Sequence, residues 1–267
     1  MESTANIKIS VPTMAEYAAK GEMPDILFWV GCAGSFDERA QKITKAFVKI
    51  LHHAGIKYAV LGTEESCTGD PAKRAGNEFL FQMQALVNIQ TLNNYGIKKI
   101  VTACPHCFNT LKNEYPGLGG AYEVMHHTQL LQQLLDEGKI KVAGGKFTGK
   151  KITFHDPCYL GRGNGVYEAP RNVIEKLDSE LVEMKRSRQR GLCCGAGGAQ
   201  MFKDAEPGNK EVNIERTEEA LALKPNIIAT GCPFCMTMMT DGVKHFDKEA
   251  EVKVQDVAEL ISNALDL

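Results

Sequence analysis

The sequence predicts an α/β protein of two tandem, pseudo-two-fold-related copies of one unit, each a parallel sheet flanked by helices. Two observations predict it. Cys158 follows Cys32, and Cys193 follows Cys67, by 126 residues; Cys232 follows Cys104, and Cys235 follows Cys107, by 128. A nearly fixed offset marks an internal repeat. The flanking text repeats as well. Thr102-Ala103-Cys104-Pro105-His106-Cys107 answers Thr230-Gly231-Cys232-Pro233-Phe234-Cys235, and Glu123-Val124 with Thr128 answers Glu251-Val252 with Asp256. The second observation is that short apolar runs alternate with stretches of helical spacing, the pattern of parallel sheets covered by helices.

In the first copy, residues 25–30 form an apolar run ending at Gly31-Cys32, followed by helical spacing over 37–53. A strand over 56–61, a long helix over 77–95 and a strand over 98–102 complete it, and the last runs into Cys-Pro-His-Cys. The second copy has strands over 151–154, 181–184 and 226–229 and helices over 168–177 and 211–223. Thr128 and Asp256 have the chemistry of N-caps for each copy's last helix. The Gly/Lys-rich segment 144–151 joins the copies, giving domains 1–145 and 146–267. Cys32, Cys104, Cys158 and Cys232 are each placed after a strand and before a helix, at the sheet edge where ligand sites of open α/β folds gather. Helix N-termini there offer free N–H groups and partial positive charge to thiolates.

The chain has 267 residues, 43% hydrophobic, long enough to bury cores without disulfide staples. Its 31 basic and 33 acidic residues leave a net charge of −2, which argues against binding nucleic acid or an anionic membrane surface. The longest apolar runs are far too short for a membrane span. Residues 1–30 lack a charged-then-apolar export pattern, so a cytoplasmic chain is expected. Nine cysteines in a reducing compartment read as metal ligands or redox groups.

The second copy brings five cysteines from three segments: Cys158, the pair Cys193-Cys194 before Gly195, and Cys232-x-x-Cys235. Gly161, Gly163, Gly165, Gly197 and Gly198 surround them, allowing backbone to approach a bulky inorganic group. One tetrahedral metal takes four ligands, so five thiols suit a polynuclear cluster better than one zinc.

This pattern resembles the CCG cysteine-rich domain family, which includes the B and D components of heterodisulfide reductase and related iron–sulfur components of glycolate, lactate, glycerol-3-phosphate and succinate:quinone-type oxidoreductases. Both copies fit, so the resemblance covers nearly the whole chain. It implies a [4Fe–4S] cluster, cubane or non-cubane, on Cys158, Cys193, Cys194, Cys232 and Cys235, and an iron–sulfur oxidoreductase subunit that works within a complex. Trp29-Val30-Gly31-Cys32, Cys67-Thr68-Gly69-Asp70-Pro71 and Asp156-Pro157-Cys158-Tyr159 most resemble a branch fused in some bacteria to membrane iron–sulfur reductases, which passes electrons between electron-transfer flavoprotein and quinone. The implied partners are a ferredoxin-like or membrane iron–sulfur subunit and electron-transfer flavoprotein, with a quinone or disulfide as acceptor. The implied location is cytoplasmic, peripheral to the membrane through a partner.

The first copy departs from the pattern, because Thr68 stands where the second has Cys194. Its thiols, Cys32, Cys67, Cys104 and Cys107, suit a cubane, a zinc, an altered cluster or no metal. Free cysteines also serve as small buried hydrophobes, and Cys-Pro-x-Cys between strand and helix also fits a thioredoxin-like dithiol. A zinc- or cluster-stabilised, non-catalytic scaffold subunit is the rival from another functional class. Around the cysteines, His155 is read as satisfied by backbone, as a donor to cluster sulfur or as a proton relay. His126 and His127 are read as solvated loop residues, and Arg74 and Arg162 as surface charges or cluster counter-charges. The basic run 185–190 reads as a solvated face or a dock for an acidic partner, and Met236, Met238 and Met239 as core under the site. No catalytic residue is identified.

Overall fold

The computed structural model describes residues 9–142, 144–204 and 207–267. The first eight residues of the expected first domain, and of the segment read for an export signal, lie outside that set. The strands are β1 (Ile26–Trp29), β2 (Tyr58–Ala59), β3 (Lys99–Thr102), β4 (Glu123–His126), β5 (Lys151–Phe154), β6 (Glu180–Leu181), β7 (Ile227–Thr230) and β8 (Lys253–Asp256). They form two four-stranded, all-parallel sheets, in the orders β2-β1-β3-β4 and β6-β5-β7-β8. The helices are α1 (Met14–Ala19), α2 (Gly31–Phe36), α3 (Glu38–His53), α4 (Asp70–Arg74), α5 (Glu78–Asn94), α6 (Pro105–Asn109), α7 (His127–Asp136), α8 (Glu168–Glu175), α9 (Val212–Leu221), α10 (Pro233–His245) and α11 (Val257–Ala264).

Local chemistry sets these boundaries. Asp37 accepts a hydrogen bond from Ala40 N and starts α3, whose Ala40, Ile43, Phe47, Ile50 and Leu51 form one buried stripe. Asn77 caps α5 through Leu80 N. Both inner strands of each sheet are almost wholly buried, as parallel strands between helix layers must be.

The halves pack reciprocally, α3 on α11 and α7 on α8, which is the signature of the pseudo-two-fold. One continuous core runs through both, including Phe28, Phe47 and Leu131 from the first half and Phe154, Ile174 and Leu260 from the second. Burying each such side chain contributes about 1.5–3 kcal/mol, and separating the halves would expose them together. At the centre, His127 Nε2 meets Asp256 Oδ1 at 2.8 Å and His127 Nδ1 lies 3.2 Å from His126 Nε2. His126 in turn lies 2.8 Å from Thr128 Oγ1.

Several expectations change. His126 and His127 are completely buried, not solvated, because the chain enters α7 at the interface between halves. His126, not Thr128, caps α7, in a capping box with Gln129; Asp256 caps α11 with Glu259 as expected. His126 therefore corresponds to Asp256 at an offset of 130, two more than the cysteine offset. A fourth strand in each half, β4 and β8, escaped the sequence reading, because Glu-Val-Met-His and Lys-Val-Gln-Asp are short and only partly apolar. The strand expected at 181–184 is displaced to Glu180–Leu181. Cys158 enters a turn closed by Leu160 N and Gly161 N on Pro157 O rather than a helix, and Cys32 already lies inside α2.

Candidate metal centre

All nine cysteines are free and lie in segments that follow carboxyl ends of strands. Cys104 and Cys232 sit immediately before Pro105 of α6 and Pro233 of α10, as their N-caps. In the second half, Cys194 Sγ lies 3.3 Å from Cys235 Sγ, too far for a disulfide and close enough to share one inorganic group. Cys158 and Cys193 are neighbours at the half-exposed rim, while Cys194, Cys232 and Cys235 are buried. Cys193 Sγ accepts Gly195 N–H at 3.3 Å.

The first half repeats this arrangement. Cys67 Sγ accepts Gly69 N–H at 3.5 Å, Cys32 is its neighbour at the rim, and Cys104 and Cys107 are buried. Gly69 and Gly195 have φ of 89° and 92°, left-handed values that suit glycine. A Cβ on Gly69 would also come within 2.8 Å of Phe81 Cδ2. Thr68 is buried with its Oγ1 3.9 Å from Cys107 Sγ, so it faces Cys107 as Cys194 faces Cys235. Tyr115 OH donates to Thr68 O at 3.1 Å and accepts from Asn88 Nδ2 at 3.0 Å, holding this loop from behind. The two sets abut, because Cys104 and Cys232 are neighbours across the junction.

The ionisation pattern is also repeated. The Cys32 thiol and Gly69 N–H pull Cys67 down to about 7 against the burial penalty. Cys158, Cys194 and Gly195 N–H likewise hold Cys193 far below the ordinary thiol range. Each half thus favours a thiolate at the same position, the form that binds metal.

Groups without a sequence signal build the rim. Asp156 receives both Arg171 Nη1 and Nη2, at 2.8 and 2.9 Å, and also Arg188 N at 2.8 Å, which fixes the loop carrying Cys158. Those bonds hold the Asp156 carboxyl below its ordinary range despite burial. In the first half Glu65 accepts from Val30 N at 3.0 Å and Gly31 N at 2.5 Å, just before Cys32. Burial pushes its carboxyl up to about 7 against those two donors. Neither partner pairing follows from spacing, since the residues lie 15 and about 35 positions apart.

The residues singled out from sequence have definite places. Arg74 is half-buried and engaged with Asp70 and Glu114, so its charge is already matched by carboxylates. Arg162 Nη1 donates to Gly191 O at 3.1 Å. His106 Nδ1 lies 2.8 Å from Asp70 Oδ2, and its ring packs on Tyr159 at 4.4 Å, tying the two halves beside the cysteines. Arg186 pairs with Glu215 and Glu219, and Arg188 with Glu168, on the surface. Met236 and Met239 are fully buried, and Met238 packs partly buried near Gly195. His155 is wholly buried and bonded through Nδ1 to Arg216 Nε at 3.0 Å, not to backbone; burial and the Arg216 charge pull it down to about 3. A cleft of about 370 Å³ opens between the halves, lined by Cys32, Phe36, Met201, Phe202, Pro233 and Phe234.

The donor set fits an iron–sulfur cluster. A ring nitrogen of His155 and the sulfurs of Cys194 and Cys235 lie within 4.8 Å of one another, and His155 Nε2 is a buried polar atom with no protein partner. Soft sulfur donors with N–H groups around them suit iron–sulfur chemistry rather than oxygen-liganded metals. Among the described residues, no helix is long and apolar enough to cross a membrane.

Comparison with known proteins bears on the same residues. A family model described as a cysteine-rich domain, CCG, matches residues 26–112 and 152–240. A probable iron-sulfur-binding oxidoreductase FadF of Bacillus subtilis is 47% identical over 256 residues, 96% of this chain and 36% of the relative. An EtfAB:quinone oxidoreductase of Syntrophomonas wolfei is 45% identical over 252 residues, 92% of this chain and 35% of the relative. A component of the dihydromethanophenazine:CoB--CoM heterodisulfide reductase of Methanosarcina barkeri is 35% identical, over 91% of this chain and 59% of the relative. The chain thus spans little more than a third of the first two relatives.

Proposed function

The chain belongs to the CCG cysteine-rich domain family, and from that premise we propose that it is an iron–sulfur electron-transfer subunit of an oxidoreductase complex. Its main centre is a [4Fe–4S] cluster on Cys158, Cys193, Cys194, Cys232 and Cys235. The observation that supports this reading is the Cys194–Cys235 sulfur–sulfur contact, with Cys232 beside Cys235 inside and Cys193 and Cys158 next to Cys194 at the rim. When bound, the cluster supplies reversible electron uptake. The chain's part is to orient the thiolates, donate Gly195 N–H to Cys193, and exclude water with Phe234, Met236 and Leu160. The first half holds a second centre on Cys32, Cys67, Cys104 and Cys107, a four-thiolate site that suits a cubane. The units carrying the two centres are residues 1–145 and 146–267, joined by one core.

The partners follow from the relatives. Electron-transfer flavoprotein is the proposed donor and a ferredoxin-like or membrane-anchored subunit the proposed neighbour, supported by the names of the Syntrophomonas protein and of a probable membrane-anchored ferredoxin from Chromohalobacter salexigens. Such a neighbour would hold the chain at the cytoplasmic face of the membrane, with quinone or disulfide as the final acceptor. The apolar cleft beside Cys32 and Phe234 offers an acceptor access to the first site.

The test is iron and acid-labile sulfide per chain in anaerobically purified protein, with EPR, for the natural chain and Cys194→Ser. A brown protein whose iron content or EPR signal changes in Cys194→Ser supports the reading. A colourless, zinc-loaded chain indicates the scaffold alternative, and an iron-loaded chain indifferent to Cys194→Ser removes Cys194 from the ligands.

A further inference from the structure

We infer that His155 is not a ligand but a fixed hydrogen-bond donor, which presents Nε2–H to a cysteine sulfur of the second-half centre and raises its reduction potential. This rests on the reading that this half binds an iron–sulfur cluster. Arg216 decides the tautomer. It is completely buried, and a guanidinium only donates. Its Nε lies 3.0 Å from His155 Nδ1, so Nδ1 must be the accepting nitrogen. A neutral ring that accepts at Nδ1 carries its proton on Nε2. A doubly protonated ring would set two donors against each other, and ligation through Nε2 would need the imidazolate. The Nε2 of this ring, which lies beside Cys194 and Cys235, is therefore an N–H. It has no protein partner despite full burial, a costly arrangement unless a sulfur accepts it.

Arg216 is held in place for this task. Its Nη1 donates to Arg186 O at 2.8 Å and meets Glu219 at 3.1 Å, so the side chain is pinned on α9. His155 is set by its own backbone, whose N–H donates to Ala229 O at 2.9 Å and continues the β5–β7 ladder one residue beyond β5.

The first half corroborates the assignment independently. The cysteine offset of 126 that relates Cys32 to Cys158 puts Trp29 opposite His155. Trp29 pairs with Thr102 in the ladder, and Thr102 corresponds to Thr230, the residue after Ala229. Trp29 is also completely buried, packs in the cluster that holds Cys32, Cys104 and Cys107, and leaves its Nε1 without a partner. An indole nitrogen can only donate. Two chemically different rings thus occupy one position in the repeat and share one property, a buried ring nitrogen with no protein partner. A donor to a thiolate sulfur withdraws charge and favours the reduced cluster.

The experiment uses the full, anaerobically loaded chain. Iron per chain, the midpoint potential of the second-half centre, and pulsed-EPR couplings are measured for the natural protein, His155→Leu and His155→Asn. The inference expects unchanged iron per chain in both variants, a downward shift of the potential in His155→Leu, and partial return in His155→Asn, which restores an N–H. In the natural chain carrying ¹⁵N-histidine, it expects a weak nitrogen coupling and an exchangeable proton coupling that His155→Leu loses. A strong directly bonded nitrogen coupling, or iron lost on His155→Leu, would make His155 a ligand and overturn the inference. An unmoved potential would also overturn it. Should a variant fail to fold, the couplings in the natural chain decide alone. Natural protein devoid of iron and sulfide defeats the underlying reading instead.

Discussion

His127 Nε2 of the first half lies 2.8 Å from Asp256 Oδ1 of the second, and neither side chain reaches solvent. The same carboxylate oxygen accepts Ala258 N–H at 2.8 Å and starts α11. One oxygen therefore joins the halves and begins the last helix.

His127→Leu leaves the Asp256 carboxyl buried with its cross-half partner gone. Leaving a buried hydrogen-bond partner unsatisfied costs about 1–3 kcal/mol. Urea unfolding of the full chain should show this as a lower midpoint with an unchanged slope. Changing both residues to Leu should recover part of the loss, short of about 1 kcal/mol for the missing cap. A loss below about 1 kcal/mol in the single variant would mean the contact does not hold the halves.

Acid should destabilise the fold through His126. Burial and the adjacent His127 push its pKa well below the ordinary value. The unfolded chain then binds a proton near pH 6.5 that the folded chain refuses. Stability is therefore complete above about pH 6.5 and falls as pH drops below it. Urea midpoints across pH 5–8 should show this slope, and His126→Asn should flatten it; equal slopes would assign the effect elsewhere.

Thr68→Cys should bring the first site towards the second. Thr68 already faces Cys107 as Cys194 faces Cys235, and thiolate is a far better iron ligand than hydroxyl. Mössbauer and EPR spectra of the loaded full chain should pass from two distinct signatures, or one, towards two alike. Identical five-thiolate signatures before the substitution would show that Thr68 is not the counterpart of Cys194.

Arg171→Leu should unseat the loop of Cys158. Arg171 is almost fully buried and makes two bonds to Asp156 and two to Glu183. Its loss leaves Asp156 buried without a counter-charge, at about 3–5 kcal/mol, and frees the rim ligand. The checks are the urea midpoint and the rate of iron loss to a chelator, which should rise. Unchanged chelation with lowered stability would limit Arg171 to a structural part.

The sequence was most legible where chemistry repeats. The cysteine offsets disclosed two halves and the equivalence of Thr68 with Cys194, because ligand spacing tolerates little change. Parallel sheets followed from buried runs such as Ile26–Trp29. The fourth strands were not legible, since β4 and β8 have mixed burial and are specified by their neighbours β3 and β7. His126 and His127 read as solvated for the same reason: their burial comes from the other half, not from local pattern. Pairings such as Arg171 with Asp156, or Arg216 with His155, depend on distant segments and carry no periodic signal.

The graded depth of the thiols has a consequence for how the protein is made and how it is damaged. Cys32 and Cys67, like Cys158 and Cys193, are half-exposed, while Cys104, Cys107, Cys194, Cys232 and Cys235 lie inside. On the proposed ligand set, a cluster delivered from outside would meet the rim pair first and the inner thiols last. Oxygen and chelators would reach Cys158 and Cys193 before Cys194, Cys232 and Cys235.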